Sequence, residues 1–347
     1  MNENDRIHLL LWYRENHRHL PWRENRDPYR IWISETMLQQ TTTTTVLRFY
    51  SRFLHRFPTI QSLAQAPIEE VYEFWAGLGY YSRARNLHAA SKRIIELKHF
   101  PTSYKELIRL PGFGPYTARA VSSLAFSEPV GVLDGNVIRV LTRKENLGIR
   151  WWGVRERRIL QNLVDDFVNP GPSHELNQAL MELGAQICTP KSPHCSMCPW
   201  FKICLGRKKK TLLRRPQPRP RRPREIWLWT PQIQLSKNFV FLKKNNYAPF
   251  LKGTWFLPGH AKKLSARPKR YNFRHSITHH DIFVQLEFKK DTMKEGSNKL
   301  SRTLKKTLID ESRWVQLEQL SKFVPASLVR KVIHQCIGKT HTIASSF

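Results

Sequence analysis

Residues 107–126 read LIRLPGFGPYTARAVSSLAF: an apolar helix end, a Pro-Gly-Phe-Gly turn and a second helix that opens at Pro115. Gly112 and Gly114 let the backbone come close to a ligand. The new helix points unpaired N–H groups and its positive dipole end outward, which is the chemistry of an anion site. A plain turn between two helices would use the same residues. Apolar helices on both sides favour the hairpin.

Working outward, the helical pattern runs from the N-terminus to about position 204. Asp27-Pro28 reads as an N-cap followed by proline at the first helical position, and Tyr104–Leu110 as a helix ahead of the Pro-Gly break. The five-threonine run at 41–45 marks only a weak helix start, because β-branched residues are poor helix formers. Residues 207–225 then carry ten Lys or Arg among prolines with a single Glu, and predict an extended basic linker. Beyond it, IWLWTPQIQL and NFVFLKK read as strands, HDIFVQLEFKK as another, and Trp314–Ile337 as helix. The expected fold is thus a mainly α domain (1–206), the linker (207–225) and a smaller α/β domain (226–347).

The 347 residues hold 58 Lys+Arg against 27 Asp+Glu, a net charge of +31. A surface that repels itself this strongly points to a polyanionic partner, nucleic acid or an anionic membrane. No stretch approaches the roughly 18 consecutive apolar residues of a spanning helix, and the acids in MNENDRIHLLLWYREN are unlike a secretory signal, so a cytoplasmic setting is expected. With nucleic acid as the polyanion, the hairpin becomes a sequence-independent clamp on its backbone.

Cys188, Cys195, Cys198 and Cys204 follow C-x6-C-x2-C-x5-C, with Cys336 far away. Four cysteines crowded at one edge of a large domain argue against a disulfide framework and for metal. Zinc sites usually show two C-x2-C knuckles with a longer spacer, whereas an iron–sulfur cube takes four thiolates from one compact loop. The spacing favours a 4Fe–4S cluster over zinc or unligated thiols. Lys191, His194, Lys202 and Arg207 flank the loop and would present cations to phosphates.

Two carboxylates stand in different surroundings. With Asp27 as cap, Ile31, Glu35 and Leu38 share a helix face, and an apolar neighbourhood would raise the pKa of Glu35 and let it carry a proton near neutral pH. Asp134 follows the apolar VGVL and precedes Gly135, Asn136 and a helical pattern, so it reads as an N-cap that stays ionised. Such a pair suits glycosidic-bond chemistry: one group protonates the leaving group, the other faces an oxocarbenium-like sugar. A simple cap and a solvent-edge Glu would look alike in sequence.

Taken together, LPWRENRDPYRIWISETMLQQT (20–41), GLGYYSRARNLH (77–88), LPGFGPYTA (110–118), LDGNV (133–137) and the cysteine loop resemble the MutY family of adenine DNA glycosylases, in the helix-hairpin-helix/GPD superfamily. The resemblance implies removal of adenine mispaired with 8-oxoguanine or guanine in duplex DNA, a 4Fe–4S cluster and a monomer. It puts Glu35 on the acid that protonates the adenine ring and Asp134 at the sugar C1′, with Asn136 beside it. Tyr116 takes the hairpin position where bifunctional relatives carry a lysine, and Ile138 a second lysine position; without an amine there is no Schiff base, so base removal without efficient strand cleavage is implied. Gln40 and Tyr80 fall on positions that wedge into the base stack. Trp22, Arg23, Leu38 and Gln178 would line the adenine pocket.

Residues 226–337 resemble the family's Nudix-like domain in KGTWFLPG (252–259), FRHSITHHDI (273–282) and RWVQLEQLSKFVPASLVRKVI (313–333). The acidic Nudix helix is absent, so nucleotide hydrolysis is not expected. Where the family has Phe-Ser-His to read 8-oxoguanine, this chain has Ile277-Thr278-His279: Thr278 keeps a hydroxyl and His279 a ring donor, and the aromatic wedge is lost. Two other readings are a superfamily glycosylase for thymine mispairs or oxidised pyrimidines, which Glu35 and Tyr116 disfavour, and a non-catalytic DNA-binding protein on the same fold.

Overall fold

The computed structural model describes residues 1–220, 222–236, 238–286, 312–324 and 327–344. Two units condense from the chain: Met1–Ala66 with Ser82–Pro220, and Pro67–Tyr81 with the described residues after Pro220.

The first unit is helical. Its elements are α1 (Glu3–Asn16), α2 (Pro28–Leu38), α3 (Thr43–Arg56) and α4 (Ile60–Gln65) before the excursion into the second unit, whose α5 is Ile68–Trp75. They continue with α6 (Ser82–Leu97), α7 (Tyr104–Leu107), α8 (Pro115–Phe126), α9 (Gly135–Lys144), α10 (Val154–Val168), α11 (Ser173–Gln186) and α12 (Leu205–Lys208). Local chemistry sets the starts. The Asp27 carboxylate accepts the Tyr29 and Arg30 N–H groups, Thr42 caps α3 through the Thr45 N–H, and Gly114 and Asp134 cap α8 and α9. Long-range packing does the rest. Helix α11 packs against α1, α8 and α9, burying Leu176, Leu180 and Leu183 with Val137, Leu141, Phe167 and Trp200 in one core.

The basic segment after Arg207 departs from the extended linker. It starts within α12 and continues as a 3-10 turn, Leu212–Arg214. It is then tied down: the buried Arg143 donates to the Leu212 and Arg215 carbonyls, and Trp151 Nε1 donates to the Gln217 carbonyl at 2.9 Å. A buried guanidinium must find acceptors, and this stretch supplies two of them.

The second unit is α/β. Strands β1 (Glu225–Pro231), β5 (Gly259–Leu264), β6 (Phe273–Ile277) and β7 (His280–Val284) form a sheet in the order β5-β1-β7-β6, with β1 and β7 parallel. In a second sheet, β3 (Phe239–Lys244) pairs antiparallel with β2 (Leu235–Ser236), β4 (Trp255–Phe256) and β8 (Ser312–Gln316). Trp229, stacked 4.5 Å from Phe256, anchors the core with Val240, Phe250 and Val332. Two expectations fail here. IWLWTPQIQL is not one strand, since β1 stops at Pro231, which has no N–H to continue a ladder. Trp314 lies in β8, and helix resumes only at Leu320–Phe323 and Ser327–Ala344. The end of HDIFVQLEFKK, from residue 287, lies outside the described residues. Among the described residues, no helix is long and apolar enough to cross a membrane.

Candidate active site

Helix α2 carries Glu35 into the floor of a cavity of about 540 Å³ in the helical unit, lined in part by Trp22, Ile31, Glu35, Leu38, Tyr116, Asp134, Asn136 and Gln178. The face Ile31, Glu35, Leu38 is therefore the one that looks into it. Glu35 is 4% exposed. Tyr116, on the first turn of α8, donates its hydroxyl to Glu35 Oε2 at 2.6 Å. Burial pushes the Glu35 carboxyl up to about 7; the Tyr116 bond and Arg23 oppose this and the charge of Asp134 adds to it. Burial beside two carboxylates holds the Tyr116 phenol well above its ordinary range, so it remains the donor.

Asp134 caps α9 by accepting the Val137 N–H at 2.7 Å and the Asn136 amide at 2.8 Å. The cap is as expected, but its pKa is raised: burial outweighs the bonds from Val137 and Asn136 and the charge of Arg139. Arg139 donates to Asn136 Oδ1 at 2.8 Å, to the Gly184 carbonyl and, through Nε, to the Cys188 carbonyl at 2.7 Å. The carboxylate turn is thus hydrogen-bonded to the start of the cysteine loop.

The rest of the pocket wall is built around a residue that the sequence reading passed over. Glu182 on α11 is fully buried and grips Arg18 at 2.6 Å and Arg23 at 2.8 Å. Burial works against its charge, but the two guanidinium groups prevail and hold its carboxyl at about 2. Arg23 is fixed by this pair. Trp22 is buried edge-on against Tyr50, and Gln178 accepts the Tyr13 hydroxyl at 2.9 Å. Glu182 lies one helical turn, four residues, beyond Gln178, but its partners are about 160 positions away in sequence.

In the hairpin, Gly112 has φ +79° and a Cβ there would sit 2.6 Å from Asn86 Cβ, so glycine is required; Gly114 has an ordinary φ and open space around it. Gln40 lies outside the cavity, exposed in the turn after α2 at φ +57°. In the second unit Tyr80 is 47% exposed at φ +49°, and Thr278 and His279 form the two-residue turn between β6 and β7.

Cys188, Cys195, Cys198 and Cys204 are free and half-buried around one loop. Four thiols drawn from one compact loop are a donor set that an iron–sulfur cluster accepts. Arg143 donates to Cys188 Sγ at 3.5 Å and to the carbonyls of Thr189 and Pro190, bracing the loop from α9.

Residues 33–150 match the family described as HhH-GPD superfamily base excision DNA repair protein. The chain is 43% identical to the adenine DNA glycosylase of Mus musculus over 210 residues, 57% of this chain and 41% of that protein. It therefore spans about two fifths of the length of the mammalian relatives. Against the adenine DNA glycosylase of Buchnera aphidicola from Schizaphis graminum it is 36% identical over 74% of this chain and 75% of that protein. A thermostable thymine-DNA glycosylase structure superposes with TM-score 0.54 at 30% identity, covering 59% of this chain and 95% of that one. Identity and coverage on the bacterial relative, together with the motif order, place the chain in the adenine DNA glycosylase family of HhH-GPD base excision repair proteins.

Proposed function

We propose that this protein hydrolyses the N-glycosidic bond of adenine mispaired with 8-oxoguanine or guanine in duplex DNA, without cutting the strand. The observation that carries the reading is the buried Glu35–Tyr116 pair in a cavity that also holds Asp134. A pKa of about 7 leaves Glu35 protonated in a useful fraction of molecules at neutral pH, so it can give that proton to a ring nitrogen of an extruded adenine. The glycosidic electron pair then leaves with the base, and the sugar becomes oxocarbenium-like. Asp134, held by its cap, faces C1′ and stabilises that charge. Water adds at C1′ and yields its proton to a carboxylate, which restores the site and releases neutral adenine. The Tyr116 hydroxyl orients the Glu35 carboxyl and supplies no amine for a Schiff base.

Cys188, Cys195, Cys198 and Cys204 would hold a 4Fe–4S cluster, which when bound cross-links the loop that carries Lys191, His194 and Lys202. Gly112 and Gly114 offer the hairpin to a backbone phosphate, Gln40 and Tyr80 wedge the stack, and Thr278 and His279 read the opposite base. The net charge of +31 supports duplex DNA as the partner.

The test is single-turnover adenine release from duplexes holding A opposite 8-oxoguanine, A opposite G and A opposite C, with T opposite G as comparator, scored before and after alkali. Adenine release with strand breaks only after alkali is expected. Release of thymine, or of no base from any duplex by cluster-loaded protein, would overturn the reading.

A further inference from the structure

Glu225 at the start of β1, His279 in the β6–β7 turn and His280 at the start of β7 meet at one end of the two central strands of the first sheet. A carboxylate oxygen and one ring nitrogen from each histidine all lie within 4.8 Å of one another. The register makes this contact obligatory: Glu225 is the parallel partner of His280, and its N–H donates to the His279 carbonyl at 2.9 Å. His280 Nε2 stands 3.4 Å from Glu225 Oε2. That is long for a charge-assisted hydrogen bond, about 2.7–2.9 Å, but matches the roughly 3.4 Å between two ligands of a tetrahedral ion with bonds near 2.1 Å.

The surroundings orient each group. The His280 ring, 8% exposed, packs against Trp227 and Phe250. Lys263 Nζ grips the other Glu225 oxygen at 2.6 Å, and Trp227 Nε1 donates to Oε2 at 3.1 Å. The His279 ring lies 4.0 Å from that of His280, and its Nδ1 is 3.4 Å from Thr278 Oγ1. Outer-shell bonds of this kind fix ligand orientation at metal sites. Two imidazoles and one carboxylate, with His279 and Glu225 only half-buried, describe a site open to solvent.

We propose that Glu225, His279 and His280 bind a divalent transition-metal ion of the zinc class. One consequence rests on the function proposed above: an ion here takes His279 away from the opposite base, so occupancy lowers the preference for 8-oxoguanine over guanine.

The experiment titrates the cluster-loaded full chain with Zn²⁺ by calorimetry, beside Glu225→Gln and His279→Ala, with circular dichroism to confirm that each variant is folded. The cysteines are common to all three proteins, so the difference isolates this site. One equivalent of binding that weakens about tenfold or more in both variants is expected. Identical isotherms would overturn the site. The same samples are then assayed for adenine release opposite 8-oxoguanine and opposite guanine, with and without Zn²⁺. A rate ratio that falls with Zn²⁺ in the wild type and not in Glu225→Gln supports the proposal. Binding without any change in the ratio would overturn the role of His279 as base reader and leave the metal site standing.

Discussion

Replacing Glu35 by Gln should remove activity and add stability, and the gain should depend on pH. Glu35 titrates at about 7 in the folded protein against an ordinary value of 4.5. Below pH 4.5 the carboxyl is protonated in both folded and unfolded chains. Between 4.5 and 7 the unfolded chain has released the proton that the folded one keeps, so wild-type stability drains away as pH rises and is fully lost above 7. At about 1.4 kcal/mol per pH unit the gap is worth about 3 kcal/mol. An amide at this position does not titrate, and its oxygen still accepts the Tyr116 hydroxyl. The variant should therefore gain about 2–3 kcal/mol on wild type between pH 5 and pH 8, or about 5–10 °C in the unfolding midpoint of a helical unit of this size. Thermal unfolding of the two proteins across that range, followed by tryptophan fluorescence, measures the difference directly. Adenine release by the variant should fall by about 100-fold or more. A lead that stays flat from pH 5 to 8 would refute the claim that Glu35 is held neutral by burial, and with it the general-acid role.

Three further outcomes follow from single contacts. Tyr116→Phe removes a bond that holds the Glu35 pKa down, so the alkaline limb of the single-turnover pH profile should move up by about one pH unit while the maximum rate falls. Gly112→Ala meets both a positive φ and Asn86, and should destabilise by about 1–3 kcal/mol; Gly114→Ala, with ordinary φ and open space, should leave the unfolding midpoint in place and weaken duplex binding in a filter assay. Cys198→Ser should lower bound iron and sulfide and broaden thermal unfolding of the helical unit. Full iron content in that variant would remove Cys198 from the ligand set.

What could be read from sequence was whatever a few consecutive residues settle by themselves. Asp27 and Asp134 reveal their caps because the partners lie two or three residues away, and the face Ile31, Glu35, Leu38 follows from helical period alone. The bond that makes Glu35 chemically interesting joins residues 81 positions apart, across the packing of α2 on α8, and no local pattern announces it. Glu182 hid for the same reason: on one helix it is a polar residue among Leu180 and Leu183, and only Arg18 and Arg23, about 160 positions earlier, turn it into a buried ion triad. The misread segments obey the same rule. Residues 314–316 look helical by composition, yet the β3 ladder claims them, with Phe241 opposite Trp314. The basic stretch after Arg207 looks extended because its charges repel and its prolines stiffen it, but Arg143 buries its guanidinium there and draws the Leu212 and Arg215 carbonyls inward. In each case a distant partner with an unmet hydrogen-bonding or burial requirement, a side chain in the helical unit and a strand ladder in the second, overrode local preference.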